Sequence, residues 1–195
     1  MELRASLDPT NVEWQVEAAM YIYDYLADYD RALAINKPTL EYCLEHYGEM
    51  HEKTALLYHE IGRVYNEKGE YDKALEHIVK AITILEKILG EEHPYTATSY
   101  NNIGGIYIYK GEHDRALEHL FKALAIYEKV FGEEHPNTAT SYSNIGVVYY
   151  YKGDYDKALE YHLKDLAICE KVFGEEHPDT QVVKENIEYI KSKMR

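Results

Sequence analysis

The strongest constraint on this chain is that it repeats itself. Residues 91–132 and 133–174 agree at 29 of 42 aligned positions. Self-similarity at a fixed period of 20–50 residues marks an array of supersecondary units, each burying its apolar face against its neighbours. The same ruler, slid both ways, divides the chain into repeats at 7–48, 49–90, 91–132 and 133–174, with a tail at 175–195. The first repeat is degenerate, and the tail matches only the front half of a repeat.

Each repeat reads as two helices. Helix A opens at His-Pro, seen at His93 and Pro94, His135 and Pro136, His177 and Pro178. Proline suits a first helical position, where its missing N–H is no loss. Tyr100, Ile103, Gly104 and Tyr107 then recur at helical spacing. Gly69, Gly111 and Gly153 close helix A, because glycine tolerates the left-handed conformation that ends helices. Helix B opens after Glu112 with Asp114 in its first turn, where an acid suits the positive end of the helix dipole. Its buried stripe is Ala116, Leu117, Leu120, Ala123, Leu124, Ile126 and Tyr127, and Gly132 stops it. Such a helix of about 18 residues is roughly 27 Å long. The small residues Gly62, Gly104 and Gly146 are predicted to face Ala74, Ala116 and Ala158, so that A and B approach closely.

Departures from the pattern carry their own expectations. Ala27 stands where the helix-ending glycine should be, and Pro38 falls inside helix B of the first repeat. An interior proline costs about 3 kcal/mol, so a bend is predicted at 36–38. The tail is predicted to be a capping helix over 180–194, with Glu188 and Lys191 giving the polar outer face that terminal repeats need. Asp165 replaces the alanine of positions 81 and 123; it is expected to face the last interface and pair with Lys184 or Lys191, or reach water.

Bulk properties narrow the function. The net charge of −14, from 35 acids against 21 bases, disfavours nucleic acid and anionic membranes, which are bound through clustered Lys and Arg. It favours a neutral or basic partner. There is no apolar run of about 18 residues to span a membrane, and the first residues lack the apolar segment of a signal peptide. Cys43 and Cys169 occupy one position of repeats three periods apart, too far for a disulfide. That suits a reducing, cytoplasmic setting. The histidines of the His-Pro loops are read as caps rather than ligands, since repeats spaced by about 10 Å cannot share a zinc. No cofactor is implied. No nucleophile–base constellation and no phosphate-binding glycine loop stands out, so the chain reads as a non-enzyme.

The pattern of Tyr100, Ile103, Gly104 and Tyr107, then Ala116, Leu120 and Ala123, resembles the tetratricopeptide (TPR) signature. Positions 58–81 and 142–165 repeat it, with His162 and Asp165 departing from it. The 42-residue period and the His-Pro loops resemble the kinesin-light-chain type of repeat. The resemblance implies an all-α solenoid of stacked helix-turn-helix repeats, forming a right-handed superhelix that binds peptides in a concave groove lined by A helices.

On that resemblance, one face of helix A maps to Trp14, Glu17, Ala18, Tyr21, Asp24 and Tyr25, then to Leu56, His59, Glu60, Arg63, Asn66 and Glu67. The third repeat contributes Thr98, Asn101, Asn102, Gly105, Ile108 and Tyr109; the fourth contributes Thr140, Ser143, Asn144, Val147, Tyr150 and Tyr151. Asn102, Asn144 and Asn186 form a ladder at the repeat interval. Amides can grip an extended peptide backbone, or bond a neighbouring helix; the sequence leaves both open. Arg63 is the lone base on this face in the four repeats, which speaks against a clamp for a terminal carboxylate. The acids Glu17, Asp24, Glu60 and Glu67 suit a basic segment, and the later half is neutral and aromatic. The expected function is therefore a scaffold for a protein or peptide partner. A structural, self-assembling module, or a consensus-like array with no specific ligand, stays open beside it, as does homo-oligomerisation.

Overall fold

The computed structural model describes residues 10–194, and among the described residues there are nine α-helices and no strand. They divide into two compact units, the first ending at His93 and the second starting at Pro94. The first unit holds α1 (Val12–Leu26), α2 (Tyr29–His46), α3 (Glu52–Glu67) and α4 (Tyr71–Ile88). The second holds α5 (Pro94–Tyr109), α6 (His113–Phe131), α7 (Pro136–Tyr151), α8 (Tyr155–Phe173) and α9 (Pro178–Lys193). Odd-numbered helices are the A helices of the sequence pattern and even-numbered ones the B helices. Within each unit every helix packs on the next, and successive A helices also touch, α1 on α3 and α5 on α7. This is the all-α solenoid that the repeat implied. The assigned start of the first repeat, residues 7–9, lies outside the described residues.

The close approach of A to B rests on the glycines. A Cβ placed on Gly104 would lie 2.5 Å from Leu120 Cδ2, and one on Gly62 would lie 2.4 Å from Ile78 Cγ1. Leu120 is thereby wholly buried with Ala116, Leu124, Ile145 and Val148, which is worth about 1.5–3 kcal/mol for such a side chain. A second device, not anticipated, grips the rim of three pairs, α3 with α4, α5 with α6 and α7 with α8. Two tyrosines of helix A hold one ring of helix B: Tyr100 and Tyr107 lie 5.9 and 5.6 Å from His119, and Tyr142 and Tyr149 lie 6.1 and 5.6 Å from Tyr161. A helix B cation covers each tyrosine, as Lys122 does Tyr100 at 5.6 Å and Arg115 does Tyr107 at 5.6 Å. Such contacts add about 0.5–1 kcal/mol each at exposed sites.

The loop histidines cap. Nδ1 of His51, His135 and His177 accepts the N–H of Lys53, Asn137 and Asp179 at 3.1, 3.1 and 3.2 Å. Each imidazole also stacks on an aromatic ring from the end of the preceding B helix, as His135 does on Phe131 at 4.3 Å. Three residues past each of these histidines, a buried threonine closes the loop; Thr138 Oγ1 donates to Gly132 O at 2.9 Å.

Three expectations need correction or refinement. Pro38 does not break α2, which runs without interruption from Tyr29 to His46. Pro38 and Ala34 are both solvent-facing, so water can satisfy the Ala34 carbonyl that loses its N–H partner, and Thr39 Oγ1 donates to Ile35 O at 2.8 Å alongside. Ala27 keeps the left-handed conformation of the glycines it replaces, at φ 48°. Asp165 pairs with neither lysine and does not reach water. Lys184 binds Glu170 at 3.0 Å and Lys191 binds Glu188 at 2.7 Å, while Asp165 is buried and accepts from Cys169 Sγ at 3.3 Å. Burial first, then that carboxylate, push the Cys169 thiol up to about 12. Cys43 and Cys169 are both buried free thiols.

Candidate functional site

The A helices present one face to their B partners and another away from them. In the first unit that outward face is largely engaged with itself. Glu60, 6% exposed, accepts from Arg63 Nη1 at 3.1 Å and contacts His59 Nδ1 at 3.2 Å. Burial pushes its carboxyl up, yet His59 and Arg63 together hold it below the usual range. Arg63 also reaches Asp24 at 3.6 Å and lies 4.7 Å over the Tyr23 ring. Arg63 thus ties α1 to α3, and two of the four acids expected to await a basic ligand already have an internal cation. Asn66 donates to its neighbour Glu67 at 3.3 Å. This face exposes the aromatic and apolar Trp14, Tyr21, Tyr25 and Leu56 together with the acids Glu17, Asp24 and Glu67.

In the second unit the predicted polar residues are again turned to structural use. Asn144 Nδ2 donates to Asn101 Oδ1 at 3.3 Å, and Ser141 Oγ donates to the same oxygen at 3.4 Å. Burial raises the pKa of the Asp165 carboxyl on α8, and the Ser143 hydroxyl lowers it by less. Ile108 packs against the core shared by α6, α7 and α8. Asn102 and Val147 are half-buried, and Asn186 is exposed on α9.

The tyrosines remain. Tyr109 is 66% exposed and Tyr151 60%. Tyr150 sits at a hub of rings, with centroids of Tyr151 at 5.6 Å, Tyr155 at 5.7 Å and Tyr189 at 5.7 Å. Tyr151 stacks on His113 at 5.8 Å, beside a shallow cavity of about 330 Å³ lined by Gly111, Glu112, His113, Asp114, Arg115 and Lys152. Tyr150 donates its hydroxyl to Tyr189 at 3.3 Å, a bond that pushes Tyr150 up to about 12. Tyr189, 53% exposed, and Tyr155 and His113 were not among the residues singled out from sequence. Tyr189 had a signal: it stands one period after Val147 on the same helical face, in the helix read only as a cap.

Comparison with known proteins bears on the family and the fold. A family model described as Tetratricopeptide repeat matches residues 17–87, 53–129 and 95–171. Among solved structures, a putative kinesin light chain from Podosopora anserina with nearly identical TPR-like repeats is 23% identical over 95% of this chain and 88% of that one, with a TM-score of 0.79. BtubC (BKLC) from P. vanneervenii is 23% identical over 97% of this chain and 84% of its own, with a TM-score of 0.77. The apo form of RapI is 22% identical over 94% of this chain and 64% of its own, with a TM-score of 0.78. At these identities the likeness is one of fold. Comparison with the curated proteins gives no match.

Proposed function

The chain belongs to the tetratricopeptide repeat family, with the fold of kinesin-light-chain-type repeats, and from that premise we propose that it is a non-catalytic scaffold. It binds a peptide or partner segment on the A-helix face turned away from the B helices. One observation carries this reading: on that face Glu60 is bonded to Arg63 and Asn144 to Asn101, while Tyr109, Tyr151 and Tyr189 stand more than half exposed. Tyrosine offers large contact area at low entropy cost, which is what a binding surface needs and a packed core does not. The net charge of −14 disfavours an acidic segment. Two buried free thiols fit a reducing, cytoplasmic setting.

The test is selection of peptides from an unbiased displayed library on the full chain, followed by titration of the selected peptides against the Tyr109→Ala, Tyr151→Ala double variant. Affinity is expected to fall about fivefold or more, as for residues that anchor an interface. Selected peptides that bind the double variant as well as the wild type would refute the assignment of this face.

A further inference from the structure

We propose that the outward face of α1 and α3, in the first unit, docks an arginine side chain of a basic partner segment. This rests on the A-helix face assigned above as the binding surface and names the chemistry that its first unit selects.

The residues stand in one line. Trp14, Glu17, Tyr21 and Tyr25 follow one another along α1 at spacings of three and four residues, which places them on successive turns of a single helix face. All four are exposed, Tyr21 at 49% and Tyr25 at 76%. The Tyr21 and Tyr25 rings touch, with centroids 5.0 Å apart and planes at 31°, so what they offer is their outer faces. Among the described residues the cations that reach α1 are engaged elsewhere. Lys53 pairs with Glu13 at 2.6 Å, and Arg63 goes to Asp24 and Tyr23. Tyr21, Tyr25 and Glu17 are left without one.

The chain itself shows what such a surface holds. Beside this line, Arg63 lies 4.7 Å over the Tyr23 ring while it pairs with Asp24 at 3.6 Å and Glu60 at 3.1 Å. A guanidinium is there stacked on an aromatic face and flanked by two carboxylates. A second instance stands on α9. Tyr189, four periods after Tyr21, carries Lys193 5.0 Å over its ring, and Lys193 stands four periods after Tyr25. Where α9 supplies its own cation, α1 places a second ring, and the cation has to come from outside.

Charge and shape select arginine. On this face Glu17, Asp24, Glu60 and Glu67 stand against one base, Arg63, so its field attracts a cation. A planar guanidinium stacks flat on a tyrosine and pairs with a carboxylate at its edge in one pose. A lysine ammonium is a strongly hydrated point charge that gains less from the ring. Because the two rings touch, no cage opens between them for a methylated ammonium.

The experiment titrates the full chain, at physiological salt, with three peptides of equal length that differ only in carrying arginine, lysine or glutamine at alternate positions. The arginine peptide is expected to bind about threefold or more tighter than the lysine peptide and about tenfold tighter than the glutamine peptide. Tyr21→Ala and Tyr25→Ala should each weaken it about two- to fivefold, whereas Tyr21→Phe, which keeps the ring, should not. Glu17→Gln should weaken it by a similar factor, and Glu41→Gln, which removes an exposed carboxylate from α2, should leave it unchanged. Circular dichroism checks that each variant keeps its helices. Equal affinity for the arginine and lysine peptides, or an arginine affinity indifferent to Tyr21→Ala and Tyr25→Ala, overturns the proposal. So does an effect of Glu41→Gln equal to that of Glu17→Gln, which would reduce the binding to net charge. Displayed-library ligands that weaken with the Tyr109→Ala, Tyr151→Ala variant, while the arginine peptide ignores Tyr21→Ala and Tyr25→Ala, would overturn the arginine site and leave the binding face standing. Indifference of both kinds of ligand to their variants would overturn the two together.

Discussion

Asn144 of α7 donates its side-chain amide to Asn101 of α5 across 3.3 Å, joining two A helices through residues 43 positions apart. The bond turns one rung of the apparent peptide-binding ladder, Asn144, and the groove candidate Asn101 into a strut. Asn101→Ala should therefore destabilise the chain by about 1 kcal/mol, since it strands the amide of Asn144 and the hydroxyl of Ser141. Urea unfolding of Asn101→Ala, Asn144→Ala and the double variant measures this. Strict additivity of the two single effects would mean that the amides are uncoupled and free to serve a ligand.

Gly104 and Gly105 are adjacent in α5, yet alanine should have opposite effects at the two. At 104 the new Cβ would come within 2.5 Å of Leu120 Cδ2 and Cγ, and overpacking of that kind costs about 1–3 kcal/mol. At 105 nothing lies within 4 Å of the Cβ position. There the substitution should gain up to about 1 kcal/mol of helix propensity. Denaturant midpoints of the two variants should bracket the wild type, and midpoints on the same side of it would contradict the packing described for α5 on α6.

This pair also shows what was legible in the sequence. Gly104 recurs with Gly62 and Gly146 at the repeat interval, opposite Ala116, so its role in packing could be read from period and size alone. Helix ends were legible for a similar reason, because His-Pro and Lys-Gly act on their own backbone. Partners chosen across helices were not. Asn144 lies on an exposed-looking face, and nothing local says that it will bond Asn101 of α5. The same holds for Arg63, whose charge was visible but whose capture by Glu60, Asp24 and Tyr23 depends on how α1 lies against α3. Pro38 interrupts no helix, because its cost depends on which side of the helix meets water.

Ala27 is the one described residue other than glycine with positive φ, at 48°. A left-handed conformation costs an L-residue with a Cβ roughly 1–2 kcal/mol, and Gly69, Gly111 and Gly153 avoid that cost at the same turn. Ala27→Gly should raise stability by about 0.5–1 kcal/mol, once the greater freedom of glycine in the unfolded chain is subtracted. Thermal unfolding of the first unit is the readout, and a lowered midpoint would count against the strain.

The fourth repeat places two titratable groups where the second and third repeats place hydrocarbon, and their pH responses should oppose each other. His162 stands at the position of Ile78 and Leu120, 2% exposed, its Cδ2 2.9 Å from where a Cβ on Gly146 would lie. Its Nδ1 has no partner, and burial pulls its pKa below the ordinary 6.5. The unfolded chain then takes up the proton first. Stability linked to His162 is therefore complete above 6.5 and is lost as pH falls toward the depressed folded value. Asp165 behaves in reverse. Burial raises its pKa above 3.8 against the weaker pull of Cys169 and Ser143, and its Oδ2 has no partner. Stability linked to Asp165 is complete below 3.8 and is lost as pH rises through the raised value. Asp165→Ala, restoring the residue of positions 81 and 123, should stabilise the chain at pH 7 by about 1–3 kcal/mol, with the gain shrinking in acid. His162→Leu should gain more as pH is lowered from 7.5 to 5. Urea unfolding across pH 4.5–8 reads both slopes, and a His162→Leu variant with the acid slope of the wild type would remove His162 as its source.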